Sequence, residues 1–134
     1  MNEEAENLGL ENTHYANTSG LDSSSAYSTA HDLLVLSSHL LEDEGIREIV
    51  KNTTYEVKSE DGQQVHKLTN TNVLLGQLGI SGLKTGTTAM AGECLVALAK
   101  NEDGHEILTI VLGSSNRFID TKILVDWIYQ AYSW

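Results

Sequence analysis

The sequence predicts an α+β fold in which helices come first and an antiparallel sheet with a covering helix follows. Apolar residues recur at helical spacing in the first third of the chain. From Thr53 the apolar period changes to two, and short strand-like runs separated by turn residues follow. The last apolar stretch returns to helical spacing, which places a helix after the strands.

Three helical segments are predicted before the strands begin. The first covers residues 3–8 and ends at Gly9, because glycine readily takes the left-handed conformation that ends a helix. The second begins at Thr29, whose hydroxyl can cap the backbone N–H of Asp32. The third covers residues 46–51, with three apolar side chains that we expect to be buried: Ile46, Ile49 and Val50.

Two groups of strands are predicted after the helices. Runs at 53–58 and 64–69 flank an Asp-Gly turn and predict an exposed hairpin with one polar side. Three later runs predict an antiparallel meander: the run that ends at Lys84-Thr85-Gly86, then 95–99, then 106–112. The chain thus divides into a helical part at about 1–52, a hairpin at 53–69, and a sheet with its helix at about 80–134.

The final helix is predicted from about Arg117 to Tyr132. Its apolar residues repeat at intervals of four and five, so we expect one wide apolar face to pack on the meander. That face comprises Ile119, Ile123, Leu124, Trp127, Ile128 and Ala131.

Composition excludes several classes of function. The 134 residues carry a formal net charge of -11, so no basic surface exists to neutralise nucleic-acid phosphates. One cysteine, Cys94, excludes an internal disulfide and a cysteine-based zinc site, and we expect it to be a small buried apolar residue. The histidines lack metal-ligand spacing, so neither a metal nor a cofactor is expected: they are His14, His31, His39, His66 and His105.

The triplet Lys84-Thr85-Gly86 is the candidate site for chemistry. It combines a cation, a hydroxyl and a glycine where a strand meets a Thr/Ala/Gly-rich turn. A cation beside a hydroxyl on an exposed strand suits an anionic group of a substrate. The triplet alone is a weak signal, because three residues match often by chance.

In this context the triplet resembles the third motif of the penicillin-recognising serine peptidases and β-lactamases. The closer resemblance is to the D-alanyl-D-alanine carboxypeptidases of low molecular mass. Four further stretches are similar to that family, in order along the chain: 17–21 (Asn-Thr-Ser-Gly-Leu), 28–33 (Ser-Thr-Ala-His-Asp-Leu), 70–75 (Asn-Thr-Asn-Val-Leu-Leu) and 114–127. The resemblance implies a β-lactamase/DD-peptidase-like fold for nearly the whole chain.

The resemblance also implies a reaction. A serine attacks the carbonyl of the penultimate D-alanine of a peptidoglycan stem peptide, the terminal D-alanine leaves, and water hydrolyses the acyl-enzyme. The resemblance implies that Lys84 supplies positive charge to catalysis and to the substrate carboxylate, and that Thr85 and Gly86 bind substrate. Thr87 supplies an oxyanion donor through its backbone N–H. The implied partners are stem peptides and β-lactam antibiotics, and the implied location is extracytoplasmic.

Two family motifs, Ser-x-x-Lys for the nucleophile and Ser-x-Asn, are not found in their family positions. Ser81–Lys84 matches the first formally, but strand residues three apart point to opposite faces. Ser114–Asn116 matches the second, yet it precedes the last helix, where it fits a helix cap. We therefore expect an incomplete domain, the C-terminal part of a carboxypeptidase domain, that is inactive by itself.

Two alternatives remain at the level of sequence. One is a non-catalytic module that binds stem peptides or a partner through the same strand edge. The other is a β-lactamase-related fragment. A sheet of three strands also leaves an open edge, which predicts a homodimer through that edge.

Overall fold

The computed structural model describes residues 1–134 and confirms the α+β class. It contains four helices and five strands, in this order: α1 (Asn2–Asn7), α2 (Ala30–Leu40), α3 (Glu44–Val50), β1 (Thr54–Lys58), β2 (Val65–Thr69), β3 (Lys84–Thr88), β4 (Gly92–Lys100), β5 (Glu106–Ser114) and α4 (Arg117–Ala131). None of these helices combines the length and hydropathy that crossing a bilayer requires.

Side-chain caps begin the three longer helices. The Thr29 hydroxyl accepts a hydrogen bond from the Asp32 N–H at 3.1 Å, as the sequence predicts for α2. The Asp43 carboxylate caps α3, and the Asn116 side chain caps α4 by accepting from the Ile119 N–H at 3.1 Å. Each cap satisfies a backbone N–H that has no partner within its helix.

The strands form two separate antiparallel sheets. β1 and β2 make the hairpin, in register Tyr55 opposite Leu68, and every one of their residues is exposed. The other sheet has the order β3-β4-β5, with Lys84 opposite Val96 and Leu98 opposite Leu108. This second sheet is the predicted meander, and β4 is its central strand.

The core lies on both faces of β4. Successive strand residues point to opposite faces, so one set packs toward α4 and the other toward α2 and α3. The first cluster contains Leu74, Ile80, Leu95, Ala97, Ala99, Ile107 and Val125. The second contains Leu41, Leu83, Val96 and Leu98, with Val50 packed against it. Only 20 of the 134 residues are buried, so the core is thin for a chain of this length.

The expected packing face of α4 is wrong in part. Ile119, Ile123 and Trp127 are 54%, 63% and 54% exposed, and Ala131 is also exposed. The fully buried residues are Thr121 and Val125, flanked by half-buried side chains that include Leu124 and Ile128. The helix has apolar side chains on opposite sides, and spacing alone could not decide which side meets the sheet.

Three smaller expectations also differ. Ile49 is 70% exposed, because α3 turns Val50 toward the core and Ile49 away from it. Cys94 is half-buried, near the start of β4. The triplet lies at the start of β3, whereas the sequence predicts it at the end of a strand. The strand begins only at Lys84 because the pairing just before it is irregular. There the Leu83 N–H bonds the carbonyl of Val96, which is already the register partner of Lys84.

Candidate active-site strand

The two polar side chains of the triplet differ in their surroundings. Lys84 is exposed, and its Nζ donates to the carbonyl oxygen of Thr85. Thr85 is buried, and its Oγ1 lies 2.6 Å from Oγ1 of Thr71. The strand therefore presents the cation to solvent and anchors the hydroxyl against the chain segment that precedes it.

Gly86 leaves open space beside the strand. A Cβ built at this residue has no heavy atom within 4 Å, and its φ lies outside the left-handed region. Neither the backbone conformation nor the surrounding protein therefore requires glycine here. The free space is available to a molecule that approaches β3 closely.

Arg117 fixes the far end of the triplet. Its Nη1 donates to the carbonyl oxygen of Gly86 at 2.8 Å and to Oγ1 of Thr87. The Arg117 backbone N–H bonds the Glu93 carboxylate at 3.1 Å, and the guanidinium lies 4.7 Å from the centre of the Phe118 ring. A second cation thus sits beside Thr87, on the first turn of α4.

Arg117 is not among the site residues that the sequence predicts, although it lies within the family-like stretch 114–127. The signal that could have found it is the register: Thr87 pairs with Glu93, and Glu93 pairs with Ser114. α4 begins three residues after Ser114, so its first turn necessarily lies near the end of β3.

The family-like stretches before β3 support this strand. Asn72 is buried, and its side chain donates to the carbonyl oxygen of Gly82 at 3.1 Å and accepts from the Leu74 N–H. Asp22 accepts from the backbone N–H of Met90 at 3.2 Å, in the turn between β3 and β4. Residues 17–22 and 70–75 are thus brought to the two ends of the same strand.

The two formal motif matches do not form a catalytic pair. No hydrogen bond joins Ser81 to Lys84. The Ser114 hydroxyl lies 2.5 Å from the Asp120 carboxylate and accepts from the Asn116 N–H, which is the geometry of a helix start. No group of His, Cys, Asp and Glu residues could hold a metal ion.

Comparison with known proteins gives one consistent result. The family model for D-alanyl-D-alanine carboxypeptidase (peptidase S11) matches residues 1–116. The chain is 33% identical over 136 residues to D-alanyl-D-alanine carboxypeptidase DacF of Bacillus subtilis, covering 98% of this chain and 34% of that protein. It is 30% identical over 134 residues to DacA of Haemophilus influenzae, covering 95% of this chain and 32% of that protein. The chain therefore spans about a third of the length of these relatives.

Solved structures agree with the sequence matches. The Streptomyces K15 DD-transpeptidase superposes with a TM-score of 0.88 and 31% identity, over 96% of this chain and 52% of that chain. Penicillin-binding protein D2 from Listeria monocytogenes, in its cefotaxime-bound form, gives a TM-score of 0.79 and 38% identity over 93% and 51%. An ampicillin-bound form of the same Listeria protein matches equally well. The meander, the triplet on its edge strand and the match over residues 1–116 together show that the chain belongs to the D-alanyl-D-alanine carboxypeptidase family of serine peptidases.

Proposed function

We propose that these residues form the substrate-docking part of a serine-type D-Ala-D-Ala carboxypeptidase that trims peptidoglycan stem peptides by acyl transfer. The observation that carries this proposal is the open edge of β3, where an exposed Lys84 stands beside the free space at Gly86. An extended peptide can lie along such an edge and bond to its backbone. The nucleophilic serine and its base belong to residues outside this chain.

Each residue of the strand has a role in this scheme. Lys84 attracts the carboxylate at the peptide terminus and contributes charge to catalysis. The hydroxyl of Thr85 hydrogen-bonds the peptide, and its contact with Thr71 holds the hydroxyl in place. Gly86 admits the peptide backbone, and the Thr87 N–H stabilises the oxyanion that forms at the attacked carbonyl.

Arg117 adds to this scheme as a positioning residue. Its guanidinium donates to the Gly86 carbonyl, which belongs to the same peptide group as the Thr87 N–H, and also to the Thr87 hydroxyl. It therefore fixes the orientation of that peptide group. A donor that is held in place before the reaction needs no reorganisation when charge develops. Its positive charge also favours an anionic peptide terminus near Lys84.

The partners and the location follow from the same scheme. We propose that β-lactam antibiotics bind the complete domain at β3, because the Listeria relative was solved with cefotaxime and with ampicillin. Peptidoglycan is a polymer of the cell wall, so we propose that the complete protein works outside the cytoplasm.

Gly86→Ala tests docking at β3. The structure has room for the added methyl group, so the variant should fold with an unchanged circular dichroism spectrum. Calorimetric titration with a peptide ending in D-Ala-D-Ala should give at least tenfold weaker binding than the parent chain shows. Gly45→Ala in α3 is the control: its backbone is not left-handed either, its methyl group meets only the Asp43 side chain, 3.0 Å away, and it should bind as the parent does. Equal binding by all three chains would disprove docking over Gly86.

The absence of the nucleophile is tested with a fluorescent penicillin. The chain should show no covalent label after denaturing electrophoresis, because acylation needs a serine paired with a base. A labelled band would place the nucleophile within these residues and overturn that part of the proposal.

We further propose that the chain, kept by itself, forms a homodimer through the open edge of β5. Unpaired strand edges present N–H and C=O groups that readily pair with another copy. Sedimentation velocity over a range of concentrations should show a monomer–dimer equilibrium. A single monomeric species at every concentration would contradict this.

A further inference from the structure

A cavity open to solvent lies between the end of α3 and the base of the hairpin. Its volume is about 420 Å³, which is within the range of about 300–1,000 Å³ that is usual for small-molecule sites. Three exposed apolar side chains line it: Ile49, Tyr55 and Leu68. Neither β3 nor the Lys-Thr-Gly triplet contributes to its lining, so this cavity is distinct from the proposed docking edge for the peptide.

The lining of the cavity carries no charge. All seven lining residues are uncharged, and those that are not apolar are asparagine or threonine. A charged ligand would lose hydration here without gaining an ion pair, so the cavity suits a neutral molecule. Tyr55 and Leu68 are register partners, so their side chains project from the same side of the hairpin. A flat aromatic ring beside an aliphatic side chain suits the apolar C–H face of a sugar ring.

Asn52 offers a free acceptor at the same cavity. Its Nδ2 donates to the carbonyl oxygens of Glu48 and Ile49, at 2.7 and 3.1 Å. No protein group donates to its Oδ1, which is therefore available to a ligand N–H. An acetamido group has one N–H donor and one methyl group. Asn52 can accept from the donor, and the apolar lining residue Ile49 can contact the methyl group.

The segment after β2 holds the cavity in shape and ties it to the docking strand. The Asn70 side chain donates to the carbonyl of Asn52 at 3.0 Å and accepts from the Asn72 N–H at 2.9 Å. The next residue, Thr71, contacts Thr85, which places the Cα atoms of Asn70 and Thr85 at most about 11 Å apart. An extended peptide covers that distance with about three to four residues, since each adds about 3.4 Å.

We infer that this cavity binds a neutral N-acetylated sugar of the glycan strand that carries the stem peptide. Tyr55 contacts one face of the sugar ring, and Oδ1 of Asn52 accepts from the acetamido N–H. The inference rests on the proposed function, because a stem peptide docked at β3 leads back to its own sugar within a few residues. The cavity thus gives the polymer a second point of attachment beside the docking strand.

The test is an NMR titration of the chain with tri-N-acetylchitotriose. Amide signals of residues 49–55 and 68–70 should shift, and those of β5 should not. Tyr55→Leu should bind at least tenfold more weakly, because it keeps an apolar side chain but removes the flat ring. Tyr27→Leu is the matched control: Tyr27 is 60% exposed against 62% for Tyr55, lies outside the cavity, and should bind as the parent does. Maltotriose, a neutral trisaccharide without acetamido groups, should bind at least tenfold more weakly than the chitotriose.

The link between the two sites is tested with a stem peptide attached to its disaccharide. It should bind at least tenfold more tightly than the same peptide without the sugars, because the second contact becomes intramolecular. Equal affinity of the two would show that the cavity does not take the sugar of a docked peptide.

Four further results would overturn the inference. They are the absence of any shift, shifts confined to residues outside the cavity, equal affinity of the parent and Tyr55→Leu, and equal affinity for maltotriose. Circular dichroism verifies that both tyrosine variants fold. The chitotriose contains no D-Ala-D-Ala terminus, so Gly86→Ala should bind it as the parent does. Failure of sugar binding and failure of peptide docking are therefore distinguishable.

Discussion

At the scale of single residues, the contact between Thr71 and Thr85 ties the triplet to the segment before it. Their hydroxyl oxygens lie 2.6 Å apart, and Thr85 is 8% exposed. Thr85→Val should lower the free energy of unfolding by about 1 kcal/mol, because it leaves the Thr71 hydroxyl without this partner. Urea denaturation of Thr85→Val, Thr71→Val and the double variant would measure the coupling. Strict additivity of the two single effects would show that the contact contributes nothing.

Arg117 is the second residue with a measurable role. Arg117→Lys keeps the charge but lacks the planar fork that bonds the Gly86 carbonyl and the Thr87 hydroxyl together. We expect faster hydrogen exchange of the β3 amides and about tenfold weaker binding of a D-Ala-D-Ala peptide, a loss of about 1.4 kcal/mol. Lys122→Arg, on the same helix, is the control for a change of cation. Unchanged affinity in Arg117→Lys would show that charge alone suffices.

At the scale of elements, the cap of α4 offers a clean comparison. The Asn116 side chain accepts from the Ile119 N–H, whereas the neighbouring Ser115 is exposed and makes no such bond. Asn116→Ala should lower the free energy of unfolding by about 1 kcal/mol, and Ser115→Ala should leave it nearly unchanged. Chemical denaturation measures both. Equal effects would mean that the cap does not stabilise α4.

The start of α2 makes stability depend on pH. The pKa of Asp32 lies below its ordinary value, first because the Thr13 hydroxyl bonds its carboxylate and also because the Asn12 N–H does. The unfolded chain therefore takes up this proton at higher pH than the folded chain does. The stabilisation is complete above the unfolded pKa of about 3.9 and is lost as pH falls through the lower folded value.

The measurement is the urea midpoint between pH 6 and pH 3. It should fall toward pH 3, and Asp32→Asn should flatten that fall while lowering the midpoint at pH 6. Asp103→Asn, in an exposed turn, should keep the parent's slope. A parent-like slope in Asp32→Asn would assign the acid sensitivity to other carboxyl groups.

At the scale of the whole molecule, the net charge of -11 works against compactness. Like charges repel within the folded chain, and salt screens them over a Debye length of about 10 Å at 0.1 M. The thermal midpoint should therefore rise by a few degrees between 0.02 and 0.2 M sodium chloride. Replacing Glu3, Glu4, Glu6 and Glu11 by Gln should reduce that rise. A midpoint that is independent of salt would show that repulsion is negligible.

The sequence allowed much of the architecture to be predicted, for identifiable reasons. Hydroxyl caps, the change of apolar period at Thr53 and the Asp-Gly turn are local signals, and the elements follow them. Beyond the pairing of the meander strands, individual side-chain contacts between distant residues were not predicted. Neither the outward position of Ile123 nor the reach of Arg117 to Thr87 can be read from local spacing, because both depend on how α4 lies across the sheet.

The site shows the same division. The residues of the triplet and its family-like context predict the triplet as the site. The hydrogen bonds that hold the triplet and the turn after it in place are not predicted. The bond between Thr71 and Thr85 crosses 14 residues, and the bond between Asp22 and Met90 crosses 68. Such contacts depend on the complete tertiary structure, so no local sequence pattern indicates them.

The Asp22–Met90 bond has a consequence for motion. Residues 17–22 form a loop that Asn17 closes by bonding Leu21 and Gly20, and Asp22 connects this loop to the turn after β3. Displacement of the loop must release the Met90 amide. The NMR signal of that single amide, 68 residues from Asp22 in the sequence, therefore reports whether the turn beside the docking strand is held or free.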